Sequence, residues 1–351
     1  MPPSPHPTKC ELGLSDSDHI FLERMPPLWA TGYHVCRDTG NPIDFLQSLA
    51  DMTTDDTSTG QKVPFDSDCI DERMYPTAFQ RNGAFSAESA LIQNLTDSGK
   101  KFVLTQHVQV DTTDEDIVDG NVTFIQFFNS TIIGDNDTIV GMSDYIGTFN
   151  GNDRVALPDF TSASTSDWWR SQVADLLVKL GDVAGITFAH NSPFVKLYWG
   201  VGCSFAGISY IPEDIKSVFG FDTVCPEAVH SNGESHLTMH NSYPARQLEA
   251  TSKSVTEDTF LFTKYFGVDV APQGGVYGSD YFPEWANLRK SLKEVLNLGL
   301  SGFPVVSMGA CGVLSYQPLN SSYTFEELCL RWYQVCKLRD HESARTLTRT
   351  L

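Results

Sequence analysis

The chain has 351 residues, 41% of them hydrophobic, enough apolar side chains to fill one large α/β barrel or two medium domains. Its formal net charge of −20 excludes nucleic acid as a partner, because that binding relies on clustered Lys and Arg displacing counterions from phosphates. No apolar run approaches the roughly 20 residues of a membrane span, and Met1 to Lys9 is Pro-rich with no apolar signal region.

Residues 1–25 read as an N-terminal extension. Short apolar runs rich in β-branched and aromatic residues then alternate with amphipathic stretches, the pattern of strand and helix repeats that build a parallel sheet. Strands are expected over 30–36, 62–66, 102–110, 185–190, 259–263 and 303–308. Helices are expected over 45–52, 87–97, 166–180, 285–298 and 325–338, from their 3.6-residue apolar spacing. Ser164 to Ser166 offer an N-cap for the third of these helices, with Asp167 in its first turn, and Gly181 offers its stop. Residues 111–158 are acidic and rich in Asn, Gly and Thr. They are too long for an ordinary connection, which predicts an insertion after strand 3 with strands of its own. A second irregular stretch covers 200–241. No internal repeat and no low-complexity linker divides the chain, so residues 26–351 are expected to form one domain.

Eight cysteines and five sequons, at Asn94, Asn121, Asn129, Asn136 and Asn320, point to a secreted or secretory-pathway lumenal glycoprotein. An export signal would then lie upstream of Met1.

Several landmarks in fixed order carry a family resemblance. Leu28-Trp29-Ala30-Thr31-Gly32-Tyr33-His34-Val35-Cys36-Arg37 is similar to the opening strand of glycoside hydrolase family 31, the α-glucosidase family. Asp66-Ser67-Asp68-Cys69-Ile70-Asp71 resembles its D-x-D-x-x-D segment. Leu157-Pro158-Asp159-Phe160-Thr161 followed by Trp168-Trp169 resembles its P-D-F-T and W-W landmarks. Gly299-Leu300-Ser301-Gly302-Phe303-Pro304 through Cys311-Gly312, then Glu326 to Gln334, completes the series. The resemblance implies a (β/α)8 TIM-type barrel. It also implies disulfides Cys203–Cys225 and Cys311–Cys329, and leaves Cys10, Cys36, Cys69 and Cys336 without assigned partners. Glu342 to Leu351 matches only the start of a helix in the family, so the barrel is expected to lack its eighth strand, with another chain as a candidate to complete it.

Retaining glycosidases need two carboxyl groups about 5 to 5.5 Å apart, one to attack the anomeric carbon and one to protonate the leaving oxygen. The family's nucleophile stretch W-x-D-x-N-E-P matches Thr187-Phe188-Ala189-His190-Asn191-Ser192-Pro193, with Asn191 and Pro193 holding the register. The resemblance therefore puts Ala189 at the nucleophile position, where a methyl group cannot form a glycosyl ester. Asp280, five residues before Trp285, falls at the acid/base position. Among the sugar-contacting positions the resemblance implies Asp66, Lys264 in place of an arginine, Trp285, Arg339 and His341. It also implies that two clamping aspartates are replaced, one by Gln106 or His107 and one by Gly309.

His230, His236 and His240 with Glu234 suggest a metal site, but Met239 to Tyr243 matches a family segment opening a barrel helix, so no metal is expected. The acidic run 111–116 lacks the Gly and terminal Glu of a calcium loop and reads as a solvated turn. No cofactor is expected, because no phosphate loop or dinucleotide fingerprint occurs. Three functional readings follow: a pseudoenzyme of the family that binds an α-glucoside or oligosaccharide without cleaving it, an active retaining α-glycosidase with atypical residues, and a non-catalytic structural or protein-binding protein.

Overall fold

The computed structural model describes residues 26–37, 66–70, 77–80, 85–115, 117–118, 120–133, 137–144, 146–149, 152–197, 223–264, 267, 270, 273–278, 281–303, 305–311, 322–337 and 347–350. In chain order the strands are β1 (Tyr33–Arg37), β2 (Ser67–Ile70) and β3 (Lys101–Gln106); then β4 (Val110–Asp111), β5 (Gln126–Ile133), β6 (Asp137–Asp144), β7 (Ile146–Phe149) and β8 (Asn152–Ala156); then β9 (Gly185–Phe188), β10 (Lys196–Leu197), β11 (Phe260–Thr263), β12 (Gly275–Tyr277), β13 (Val306–Gly309) and β14 (Leu347–Thr350). The helices are α1 (Phe85–Asp97), α2 (Ala163–Leu180), α3 (His236–Met239), α4 (Tyr243–Ser252), α5 (Trp285–Leu300) and α6 (Ser322–Lys337).

Eight strands close into a parallel barrel, in ring order β1, β2, β3, β9, β11, β12, β13, β14. The fold class is the expected α/β barrel, but its last position is not empty. β14 pairs in parallel with β13 through Val306↔Leu347 to Gly309↔Thr350 and with β1 through Tyr33↔Arg349 and His34↔Thr350. The described residues thus include an eighth strand, where the resemblance implied none. Leu347-Thr348-Arg349-Thr350 carries no apolar run, so the hydrophobic pattern that marks the other strands is missing from it.

The pleat sorts the strand residues into two layers, since successive side chains point to opposite faces of the wall. Phe102, Leu104, Ile186, Phe188, Leu261, Val276, Val306 and Met308 belong to the large core that also holds Leu91, Ile92 and Leu95 of α1 and Trp169, Val173 and Leu176 of α2. The alternate residues Val103, Phe260, Phe262 and Tyr277 pack with Ala30, Val305 and Trp29 in a separate cluster enclosed by the ring. Residues 30 and 31, expected as the start of a strand, instead belong to a 3-10 turn over Leu28–Thr31, held by Thr31 Oγ1 donating to the Leu28 carbonyl at 2.8 Å. That turn carries the Trp29 indole into the N-terminal mouth of the barrel. A Cβ on Gly185 would lie 2.8 Å from Trp29 Cη2, so the first residue of β9 has no room for a side chain.

The N-cap of α2 lies two residues before the first of the expected cap residues, Ser164. Ser162 is the N-cap, accepting from the Thr165 amide, and Gly181 ends the helix at φ 91° as expected. Residues 110–156 carry five strands outside the barrel. β5 and β6 form a hairpin, and β4, β8, β7 and β10 form a four-stranded sheet. The predicted helix over 45–52 lies outside the described residues.

Trp169 is wholly buried, meets Phe79 and Phe160 edge-on, and donates from Nε1 to Thr251 Oγ1 at 2.9 Å, tying α2 to α4. Trp169→Ala is expected to lower stability by about 3–5 kcal/mol in urea denaturation. A change below about 1 kcal/mol would show that the α2–α4 contact is not part of the cooperative core.

Candidate functional site

In a parallel barrel the strand C-termini share one rim, where side chains from different strands meet above the packed interior. Ala189 follows β9 on that rim. Its amide donates to the Gln106 carbonyl at 3.2 Å, and its side chain is wholly buried. By the pleat it falls on the interior face with Thr187, as do His107 after β3 and Lys264 after β11. Lys264 is half-buried, and its charge acts on the Tyr277 phenol at the end of β12. Burial pushes that phenol up to about 12, against the opposing pull of the Thr187 hydroxyl and the Lys264 ammonium. Gly309 ends β13 on the same rim. Asp280, Arg339 and His341 lie outside the described residues.

Backbone geometry marks the rim as well. His190 has φ 51° and Cys311 has φ 65°, so the residues leaving the ends of β9 and β13 both adopt the left-handed conformation that side chains disfavour. Cys311 is bonded to Cys329 of α6 with Cα atoms 4.5 Å apart, which holds that turn against the next helix. Cys225 is also disulfide-bonded, while Cys203 lies outside the described residues.

The turn after β9 is held from below by a residue that no motif reveals. Gln109, wholly buried, donates from Nε2 to the carbonyls of His190 at 3.1 Å and Phe194 at 2.7 Å. Phe149 of β7 packs over the same place, its ring 5.0 Å from His107, 5.4 Å from His190 and 6.1 Å from Phe194. β10, in the loop after β9, pairs antiparallel with β7. The inserted sheet thus covers this side of the rim. Gln109→Ala removes the donor to two carbonyls and is expected to destabilise by about 1–3 kcal/mol, read as a lower urea midpoint.

Two implied sugar contacts stand apart from this group. Asp66 precedes β2, at the opposite end of the barrel from Ala189 and Lys264; it is exposed, and its carboxylate fills the space that a side chain on Gly32 would need. Asp66 leads into its strand rather than following it. Its charge acts instead on His34, whose Nδ1 is bonded to Ser67 Oγ. Trp285 opens α5 and is 48% exposed, and Phe282, three residues earlier, is 47% exposed, so these rings face solvent rather than the buried Ala189.

Burial lowers the His34 imidazole to about 4, against the pull of the Ala30 carbonyl and Asp66. Its folded pKa lies below the unfolded 6.5, so the native state is fully stable above that pH and loses stability as pH falls from there towards 4. The unfolded chain binds a proton that the folded one refuses. The loss from this group is expected to reach roughly 3 kcal/mol, measurable by urea denaturation between neutral pH and about pH 4; a His34 ring titrating at its ordinary value by NMR would contradict it.

The three histidines considered for a metal are joined in series rather than converging. Asp159 Oδ1 accepts from His230 Nδ1 at 2.8 Å, His230 Nε2 meets His236 Nδ1 at 2.9 Å, and His236 Nε2 meets His240 Nδ1 at 3.0 Å. Burial alone would raise the Asp159 carboxyl, but hydrogen bonds from His230 and from the Ser231 hydroxyl and amide hold it well below the usual carboxylate range. With an ionised acceptor at one end, His230 donates from Nδ1, and the two ring-to-ring contacts continue the series from its Nε2. Burial and the neighbouring rings lower His236 well below its ordinary value, and burial lowers His240. The chain of rings joins the segment before α2 to the segment opening α4. Among the described residues no group of three or more His, Cys, Asp or Glu is arranged to hold a metal ion. Asp111 is likewise satisfied by neutral donors, from Thr113, Asn152 and Gln80.

Residues 23–345 match the family model described as the glycosyl hydrolases family 31 TIM-barrel domain. The chain is 22% identical to lysosomal alpha-glucosidase of Rattus norvegicus, over 94% of the chain and 34% of that protein. It is 24% identical to intestinal sucrase-isomaltase of Suncus murinus, over 91% of the chain and 18% of that protein. Among solved structures, a family 31 dextranase of Flavobacterium johnsoniae superposes with a TM-score of 0.66 at 17% identity, over 93% of the chain and 36% of the dextranase. A glucosidase II alpha subunit superposes with a TM-score of 0.67 at 16% identity, over 93% of the chain and 32% of that subunit. The chain thus spans about a third or less of each of these relatives.

Proposed function

Because the chain belongs to glycosyl hydrolase family 31, we propose that its barrel is a pseudoenzyme of the secretory-pathway lumen, one that binds an α-glucoside or oligosaccharide at the C-terminal rim without cleaving it. The observation that carries this reading is Ala189, buried at the end of β9 on the interior face. A double displacement through a glycosyl ester requires a carboxylate at the attacking position, and a methyl group has no lone pair to supply. Lys264 and Tyr277 leave this rim able to donate hydrogen bonds to sugar hydroxyls, an activity that needs no second carboxylate. Asp280, at the acid/base position, would then serve as an acceptor for the sugar rather than as a proton donor to a leaving group. The lumenal location is supported by the bonded cysteines and by the exposed sequon residues Asn94 and Asn121.

The purified chain is expected to give no turnover of maltose or an aryl α-glucoside above the uncatalysed blank, while calorimetry detects maltose binding that weakens in Lys264→Ala. Turnover that vanishes in Asp280→Ala would overturn the proposal in favour of an active glycosidase using other carboxylates. No heat of binding with glucose, maltose or isomaltose would instead favour a structural or protein-binding role. Ala189→Asp, which restores the attacking group, separates the cases further: a gain of hydrolysis marks a vestigial site.

A further inference from the structure

We propose that Cys36 and Cys69 form a disulfide that fastens β1 to β2 near the rim of the barrel. The two strands pair in parallel with His34↔Ser67, Val35↔Asp68, Cys36↔Cys69 and Arg37↔Ile70 in register. Cys36 and Cys69 are thus direct neighbours across the ladder. The phase of the pleat is fixed two residues earlier, where the His34 imidazole and the Ser67 hydroxyl are hydrogen-bonded to each other. Positions 34 and 67 therefore share a face, and a period of two puts positions 36 and 69 on that face as well. Neighbouring strands lie about 4.8 Å apart, inside the roughly 4.4–6.8 Å between Cα atoms that a disulfide spans. Both cysteines are the penultimate residues of their strands, so the bond would clasp the wall at the end where Ala189 and Lys264 stand.

Cys311 and Cys329 do not compete for this pair. They are bonded together, and Cys225 is already in a disulfide. The reaction is thiol–disulfide exchange. One thiolate attacks an oxidised dithiol such as glutathione disulfide, expelling one glutathione thiolate. The second cysteine thiolate then attacks the mixed disulfide and expels the other. The two cysteine thiols lose two electrons and two protons, and one oxidant molecule becomes two thiols. In the cell this rests on the lumenal location proposed above, because a reducing compartment would keep both thiols free.

The experiment is peptide mapping of the full-length chain, secreted from a eukaryotic host, alkylated under denaturing conditions without reductant and digested. The expected result is one cross-linked species joining the peptide of Cys36 to that of Cys69, which separates into two on reduction, and in Cys36→Ser a single new alkylated thiol at Cys69. If the chain is isolated reduced but acquires the same cross-link on exposure of the folded protein to glutathione disulfide, the pairing stands and the lumenal location fails. Alkylation of both Cys36 and Cys69 after that exposure, or a link from either to Cys10 or Cys336, overturns the proposal. The mapping is done on the unmutated chain, so its outcome does not depend on any variant folding.

Discussion

A parallel barrel strand has hydrogen-bonding groups along both sides, and every one left unpaired in the wall costs free energy. Eight strands satisfy them all only if the last reaches the first. Here β14 makes both contacts with four residues, holding β13 along its whole length and β1 at Tyr33 and His34. The common rim, and with it the meeting of residues from β3, β9, β11 and β12, exists because this ring closes. Closure also fixes which residues face inward: the pleat that sends Phe260, Phe262 and Tyr277 into the barrel sends Ala189 and Lys264 into the space above them.

Within that frame the two ends of the barrel have different chemistry. The N-terminal mouth is filled by Trp29, His34 and Phe262, rings whose centroids lie about 6 Å apart, and its one buried base is held neutral. The C-terminal rim carries a cation, two hydroxyl groups and left-handed turns, with the buried Ala189 among them. Strained turns and a disulfide-held loop stand around that alanine. Rim geometry and rim chemistry are therefore separable: the first depends on strand ends and loop packing, the second on one side chain.

The sequence displays the barrel through the strands expected over 30–36, 102–110, 185–190, 259–263 and 303–308, the helices expected over 87–97, 166–180, 285–298 and 325–338, and landmarks spaced along most of its length, whereas the strand expected over 62–66 lies just ahead of β2 and 62–65 fall outside the described residues. Its failures have physical causes. β12 has three residues, too few for a periodicity, and β14 reads Leu-Thr-Arg-Thr, a strand specified by neighbours on both sides rather than by its own hydrophobicity. The motif around Asp66 points it to the sugar pocket, yet a motif does not say whether a residue precedes or follows the paired part of its strand, and here it precedes. The histidines at 230, 236 and 240 have spacings open to a metal. Serial hydrogen bonding becomes visible only when Asp159, far away in the chain, is placed at one end. Gln109 and Tyr277 carry no signal, because a single buried polar residue in an apolar run looks the same whether it props a loop or pairs with a neighbour.

The four-stranded sheet beside the rim draws one strand, β10, from the loop after β9 and the other three from the excursion between β3 and α2. Lys196 pairs with Thr148 and Leu197 with Gly147, so two loops that leave different barrel strands are woven into one piece of backbone. Such loops cannot drift independently over evolutionary time. Trimming the excursion would strip β10 of its partner and strand the hydrogen-bonding groups beside Ala189, while lengthening the β9 loop would slip the pairing register. A single side chain such as Ala189 is free to change, but the surrounding lengths stay locked to each other, so the outline of a rim can outlast the side chains that line it.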